Sequence, residues 1–102
     1  MSNFHRKYGF QVSPSGQAPI GKSVTIDCHI EAFPPPISYW LNDSTVIFDT
    51  NNRYDISIKS KGYKRHLKLT IRELQDKDLK DYQCFAKNAL GEQRATIKLY
   101  VK

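Results

Sequence analysis

The sequence has 102 residues, with 16 Lys or Arg against 10 Asp or Glu and a formal net charge of +6. A chain of this length forms one domain whose core is too small to enclose a large cofactor, which argues against large-cofactor enzymes. The composition, 39% apolar and 25% charged with five Gly and five Pro, argues against disorder and fibrous repeats. The longest apolar runs span three residues, whereas a transmembrane helix needs roughly 20.

Residues 1–8 differ from the rest of the chain because no strand pattern begins in them. They carry basic side chains with no apolar stretch behind them, so they do not form a secretory signal. We expect 1–8 to be a flexible segment or an added leader and 9–102 to form the single domain. If the domain is extracellular, the chain is then a fragment of a longer precursor.

Alternating apolar and polar side chains predict strands along the first half of the chain. Residues 23–30 alternate, and the prolines at 34–36 end this strand because they lack backbone donors. The next strand starts near Ile37. Polar turns at 42–44 and 49–52 flank a short predicted strand at 45–48.

The second half continues the same alternation. A strand at 53–59 is followed by a turn at 61–62, a return strand bearing Leu67, Leu69 and Ile71, a helical turn within 74–79, and two strands around 82–86 and 95–101. No segment of ten residues has the apolar stripe of an amphipathic helix. Seven or eight short strands predict an all-β sandwich or barrel.

Trp40 lies between Cys28 and Cys84 at the spacing found in immunoglobulin domains, and Tyr82 stands two positions before the second cysteine. A longer pattern covers the second half: Leu69, Ile71, Leu74, Asp78, Tyr82, Cys84, Ala86, Asn88 and Gly91. Over residues 9–101 the chain resembles the intermediate-set (I-set) immunoglobulin domain. The resemblance implies an all-β, immunoglobulin-like Greek-key sandwich.

The resemblance also implies how the core is held together. Cys28 and Cys84 would form one disulfide between the sheets, packed on Trp40, with the core residues Tyr82, Leu69 and Ile71 around it. Arg53 would pair with Asp78 as a structural ion pair. The alternative for the cysteines is two buried free thiols, as in intracellular muscle domains of this fold, because an oxidised pair needs an oxidising compartment.

One departure from the family pattern concerns the core. Ser38, rather than an apolar residue, stands two positions before Trp40. We expect a β-bulge here that lets Ile37 or Tyr39 fill the inward position.

A narrower resemblance rests on several short runs of sequence. These are 28–32, 39–40, 53–54, 67–72, 86–92 and 97–100. They resemble the third, membrane-proximal immunoglobulin domain of the Dpr-interacting proteins, invertebrate neuronal receptors related to lachesin, amalgam and the IgLON proteins. This implies an extracellular, cell-surface adhesion receptor that pairs with other immunoglobulin-superfamily proteins, in which this domain acts as a membrane-proximal spacer with secondary contacts.

Two other functions fit the same fold. A structural domain of an intracellular muscle scaffold would keep its thiols reduced and Asn42 unmodified. A ligand-binding domain of a growth-factor receptor would use its basic surface to bind heparin or heparan sulfate.

Asn42 begins an N-x-S sequence on a predicted turn, where a glycan could be attached in a secreted protein. The alternative is an unused polar turn, since such triplets often occur by chance.

The region from 59 to 68 carries many cations and no acid. Its members are Lys59, Lys61, Lys64, Arg65, His66 and Lys68. Alternation places Lys59, His66 and Lys68 on the outer face of one sheet, where this basic patch could bind a sulfated glycan or anionic headgroups. The alternative is that exposed lysines prevent edge pairing and maintain solubility. Nucleic acid is disfavoured because the cysteine pattern indicates an extracellular domain.

Several apolar residues fall on the sheet face opposite Trp40 and Cys84. They are Tyr39, Leu41, Ile47, Phe48 and Phe85. An exposed apolar face would be a partner surface, and Phe85→Ser would then abolish pairing while leaving folding nearly intact. Alternatively, long basic side chains cover these residues.

No enzyme, cofactor or metal site is expected. His5, His29 and His66 are scattered in the sequence without metal-ligand spacing, and no nucleotide-binding or serine-nucleophile motif occurs.

Overall fold

The computed structural model describes residues 9–12, 16–43, 45–48 and 53–101. This part of the chain forms nine strands and one short 3-10 helix, Asp76–Asp78. The strands are β1 (Gly9–Val12), β2 (Gly16–Ala18), β3 (Val24–Glu31), β4 (Ile37–Asn42), β5 (Thr45–Val46), β6 (Tyr54–Lys61), β7 (Lys64–Ile71), β8 (Asp81–Asn88) and β9 (Gly91–Val101). The expected all-β class is therefore confirmed, and the helical turn within 74–79 is the 3-10 helix.

The strands form two sheets that pack face to face. One has the order β1-β3-β7-β6, and the other has the order β2-β9-β8-β4-β5. The pairs are antiparallel except that β2 runs parallel to β9, with Gly16 opposite Leu99. The N-terminal part of the chain thus contributes β1 to the first sheet and β2 to the second. Neither of these short strands was predicted, because three or four residues are too few to show alternation.

The expected β-bulge at Ser38 is absent. β4 pairs with β8 in unbroken register from Ile37 opposite Lys87 to Leu41 opposite Gln83. Ser38 lies opposite Ala86 and is itself half-buried, so a small polar side chain fills the inward position. Ile37 is exposed and does not take its place.

The centre of the core is a disulfide that joins the two sheets. Cys28 of β3 is bonded to Cys84 of β8, and their Cα atoms are 6.5 Å apart. Trp40 lies opposite Cys84 in the register, and none of the three side chains is exposed. Leu69, Ile71 and Tyr82 belong to the same buried cluster. A bond closing a loop of this length adds about 4 kcal/mol to the free energy of unfolding in the chain-entropy model.

Tyr82 and Asp78 anchor the segment that crosses between the sheets. The buried Tyr82 hydroxyl donates to the backbone carbonyl of Asp78 over 2.8 Å. Arg53 donates to both oxygens of the Asp78 carboxylate, over 3.1 and 2.5 Å. It also reaches the carbonyls of Arg72 and Glu73, so one guanidinium joins the residue before β6 to the segment that follows β7.

Asp78 is charged although its side chain is only 2% exposed. Burial disfavours the carboxylate, but the hydrogen bonds from Arg53 and from the Gln75 backbone N–H outweigh this effect and lower the pKa of Asp78 from its ordinary value. Burial also raises the pKa of the Tyr82 hydroxyl above its ordinary value, so this group stays a neutral donor. The buried Asp78 carboxylate is therefore stabilised in its charged form by the Arg53 guanidinium.

Replacing Arg53 by Met should lower the free energy of unfolding by about 3 kcal/mol, because it leaves the buried Asp78 carboxylate without its counter-ion. Arg72→Met is the matched control, since Arg72 pairs with Asp55 at an exposed site and its loss should cost less than about 1 kcal/mol. Urea unfolding followed by Trp40 fluorescence measures both values. Equal losses in the two variants would contradict this account of the cluster.

Acid should weaken the domain through Asp78. Because the pKa of this group is lower in the folded than in the unfolded chain, its stabilisation is complete above the unfolded value near 4 and is lost as the pH falls through the folded value. We expect the free energy of unfolding to fall below about pH 4, and to fall less steeply in Asp78→Asn. A slope as steep in Asp78→Asn as in the wild type would refute the assignment.

Candidate functional site

The outer face of the five-stranded sheet carries the expected partner surface, but much of it is buried. Leu41 and Phe85 are only 6% and 5% exposed, so the expectation of an exposed apolar face is wrong for these two residues. Tyr39 stacks on Phe85 at 4.9 Å between ring centroids, and the Arg94 guanidinium lies 5.3 Å from the Phe85 ring centre. Phe85 is thus covered by its neighbours, which is the alternative that the sequence left open.

Apolar surface is exposed instead at the edge of the sandwich. Phe48, which follows β5, is 63% exposed, and Ile58 on the edge strand β6 is 46% exposed. They lie on a cleft of about 370 Å³ between the edges of the two sheets, which we call the edge cleft. Its lining residues are Tyr39, Trp40, Val46, Ile47, Phe48, Ile56 and Ile58. Of the predicted partner residues, Tyr39, Ile47 and Phe48 line the edge cleft.

The basic patch lies mainly on the outer face of the four-stranded sheet. Lys59 is opposite His66, and Lys61 is opposite Lys64, at the hairpin between β6 and β7. Lys68 shares this face, and all four lysines are exposed. Arg65 has the opposite parity, and its guanidinium donates to the backbone carbonyls of Gly62 and Lys64. Five of the six predicted members therefore share one face.

The neighbouring strand brings acids to this face. Lys68 lies opposite Asp27, and Lys64 lies opposite Glu31, both on β3. The stretch from 59 to 68 itself contains no acid. Because these two acids lie beside the patch in the fold, its local positive charge is lower than the sequence of that stretch suggests. Only the register between β3 and β7 reveals this.

Asn42 is the last residue of β4 and lies opposite Thr45 in a tight turn. Its side chain is half-buried, and its Oδ1 has no hydrogen-bond partner among the described residues. Asp43 has a positive φ of 51°, as expected in such a turn. Ser44, the third residue of the N-x-S sequence, lies outside the described residues, as do His5 and the predicted turn at 49–52.

Two histidines that are far apart in sequence meet on the outer face of the four-stranded sheet. His29 of β3 lies directly opposite His66 of β7, and their rings stack at 3.8 Å between centroids. Asp27 adjoins them, with its Oδ2 3.6 Å from His66 Nε2. One ligand atom from each of the three residues lies within 4.8 Å of the others. The two histidines are therefore neighbours in the fold although they are scattered in the sequence.

The model of one protein family matches residues 10–101, and it is described as the immunoglobulin I-set domain. The chain is an immunoglobulin I-set domain. The I-set sandwich, its Cys28–Cys84 disulfide between the sheets and its kinship with lachesin-type proteins, all expected from the sequence resemblance, are thereby confirmed.

Curated relatives of this I-set domain include lachesin and neural cell adhesion molecules. It is 34% identical over 85 residues to lachesin of Schistocerca americana, covering 83% of this chain and 24% of lachesin. It is 37% identical over 86 residues to human neural cell adhesion molecule 1, covering 82% of this chain and 9% of that protein. The chain thus spans about a quarter or less of these relatives.

Solved structures of similar fold include a chain of a Dpr2 and DIP-Theta complex and domains of titin. A chain in the complex of Dpr2 Ig1-Ig2 with DIP-Theta Ig1-Ig3 superimposes with a TM-score of 0.86 and 32% identity, covering 96% of this chain and 33% of that one. Titin domains A168-A170 superimpose with a TM-score of 0.79 at 24% identity, covering 93% of this chain and 31% of that one, which is a likeness of fold alone. Within the described ranges, no helix has the length and apolarity to cross a membrane.

The two phenylalanines of the predicted partner surface should respond differently to substitution. Phe85→Ser should lower the free energy of unfolding by about 3 kcal/mol or more, because a covered aromatic ring is lost. Phe48→Ser, at an exposed position, should change it by no more than about 0.5 kcal/mol. Thermal or urea unfolding of the two variants beside the wild type measures this. A stable Phe85→Ser variant would restore the original expectation of an exposed partner face.

Proposed function

We propose that this I-set domain is part of an extracellular, cell-surface adhesion receptor of neurons, in which it acts by protein contact and as a membrane-proximal spacer. The observation that carries the proposal is the 32% identity and TM-score of 0.86 with a chain of the Dpr2 and DIP-Theta complex over 96% of the domain. The chain covers a third of that neighbour, the share expected of one domain in a chain of three.

The disulfide supports an extracellular location. Cys28 and Cys84 are bonded, and disulfides of this kind persist in oxidising compartments and are rare in the cytosol. The muscle-scaffold alternative draws on the titin structures, whose 24% identity carries the fold and no more. The lachesin and neural cell adhesion molecule relatives therefore favour adhesion over a tension-bearing scaffold.

The edge cleft is the surface that we assign to protein contact. It offers exposed apolar side chains, Phe48 and Ile58, at a sheet edge, whereas the outer face of the five-stranded sheet is covered at Leu41 and Phe85. Apolar residues at the centre of a protein interface contribute most of its binding free energy when they become buried. The partner on this proposal is another immunoglobulin-superfamily protein of the cell surface.

Glycosylation of Asn42 belongs to the same proposal. Asn42 ends β4 at a tight turn on the same side of the sandwich as β5.

A second candidate function is binding of heparan sulfate by the basic patch, which is favoured by four exposed lysines on one sheet face. Asp27 and Glu31 oppose it by lowering the local charge.

Peptide mapping of the full-length parent protein, produced in animal cells, tests the location. We expect secretion or surface display, a linked Cys28–Cys84 peptide without reducing agent, and a glycosidase-sensitive mass on the Asn42 peptide that Asn42→Gln removes. Free thiols in a protein that is not exported would overturn the extracellular proposal and favour the muscle-type scaffold. An exported, disulfide-bonded protein with an unmodified Asn42 would overturn only the glycosylation.

The contact surface is tested with the same exported protein on a biosensor carrying immunoglobulin-superfamily ectodomains of the same animal. Phe48→Ser should weaken binding, and Leu90→Ser, at a similarly exposed apolar residue on the β8–β9 hairpin, should not. Equal binding of both variants would reject the edge cleft and leave spacing as the domain's role.

Heparin chromatography tests the glycan candidate. Retention on heparin beyond that on a cation exchanger, lost in the double variant Lys59→Glu with Lys68→Glu, would support it. Equal retention of the wild type on heparin and on the cation exchanger would reject it.

A further inference from the structure

We propose that Asp27, His29 and His66 form a binding site for one Zn²⁺ ion on the outer face of the four-stranded sheet. This inference does not depend on the adhesion function. It rests on strand register, the distances between ligand atoms, and one buried nitrogen without a hydrogen-bond partner.

The sheet geometry brings three ligands of the right types together. His29 and His66 are directly opposite each other on neighbouring antiparallel strands, and Asp27 is two positions from His29 on the same face of β3. Opposite residues have Cβ atoms about 5 Å apart, and residues two positions along a strand lie on the same face. Two imidazoles and a carboxylate are ligands that zinc commonly takes in proteins.

One of the distances between ligand atoms already matches that in a tetrahedral zinc site. With zinc–ligand bonds of about 2.0–2.2 Å, two ligand atoms of a tetrahedron are about 3.3–3.6 Å apart. His66 Nε2 and Asp27 Oδ2 are already 3.6 Å apart. All three ligand atoms lie within 4.8 Å of one another. Because imidazole lone pairs lie in the ring plane, binding of one ion by both histidines requires their side chains to rotate out of the stacked arrangement.

His66 presents an unsatisfied atom at the centre of this cluster. Its Nε2 is buried and has no hydrogen-bond partner, although a buried polar atom normally has one. A metal ion bound to Nε2 satisfies the lone pair of the neutral imidazole.

The surroundings set the strength and the coordination of the site. Lys59 lies opposite His66 and Lys68 lies opposite Asp27, and both lysines are exposed. Their positive charge opposes a cation, so we expect micromolar affinity, weaker than that of buried structural zinc sites. Because His29 is exposed, the fourth position faces solvent, where water or a side chain of another molecule can bind.

Titration calorimetry of the 102-residue chain tests the site, with any affinity tag removed because polyhistidine binds zinc. Zinc chloride is titrated into metal-free protein at neutral pH, and we expect one ion per chain with micromolar affinity. Because imidazole must be deprotonated to bind a metal, the affinity should fall on acidification. Absence of binding at neutral pH would overturn the proposal.

Variants then locate the ion. His29→Asn, His66→Asn and Asp27→Asn should each lower the affinity by at least about tenfold, the effect that loss of an outer-sphere partner alone has in zinc sites. Asp55→Asn, an acid on the same sheet face, and His5→Asn, a histidine outside the described residues, are the matched controls and should bind as the wild type does. Loss of binding in His5→Asn alone would overturn the assignment.

Folding and coordination have their own readouts. The circular dichroism spectrum and the intact Cys28–Cys84 disulfide show whether each variant is folded, and His29→Asn alters an exposed side chain. Cobalt(II) in place of zinc should give the intense visible absorption of a tetrahedral ion in the wild type and lose it in folded His29→Asn. The same cobalt spectrum in folded His29→Asn would refute His29 as a ligand.

Discussion

The Cys28–Cys84 bond is the constraint around which the rest of the domain is arranged. It joins the central part of one sheet to the central part of the other, and both sulfur atoms are fully buried beside Trp40. Because the bond fixes the distance between β3 and β8, the inner side chains of both sheets pack within one fixed gap. The crossover between the sheets lies at one end of the core. It is held by directional hydrogen bonds, from Arg53 to the Asp78 carboxylate and from the Tyr82 hydroxyl to the Asp78 carbonyl.

Once the core is fixed, the three surfaces differ in what they can bind. The outer face of the five-stranded sheet is partly sealed, because Tyr39 and Arg94 cover Phe85. The edge between the sheets keeps apolar surface open at Phe48 and Ile58, and the outer face of the four-stranded sheet is polar and charged. This difference is the reason for proposing protein contact at the edge and ion or glycan binding on the four-stranded sheet.

Local sequence determined the strands well but did not determine their neighbours. Strict alternation predicted β3, β6 and β7 closely, and the cysteine and tryptophan spacing led to the fold. The burial of Phe85 depends on Arg94, which reaches it only through the pairing of β8 with β9. Likewise, His29 and His66 meet only because of the register between β3 and β7. Strand parity assigns a face to each residue, but it does not say which residues of other strands cover it.

The parallel pairing of β2 with β9 has a mechanical consequence. Force applied toward the N-terminal side of β2 and the C-terminal side of β9 acts along both strands in opposite directions, because the two run side by side with Gly16 opposite Leu99 and Ala18 opposite Val101. Their hydrogen bonds are then loaded together in shear and cannot open one after another, as those of a hairpin pulled from its ends do. At the proposed position in a cell-surface receptor, tension along the chain would thus load β2 and β9 together in shear.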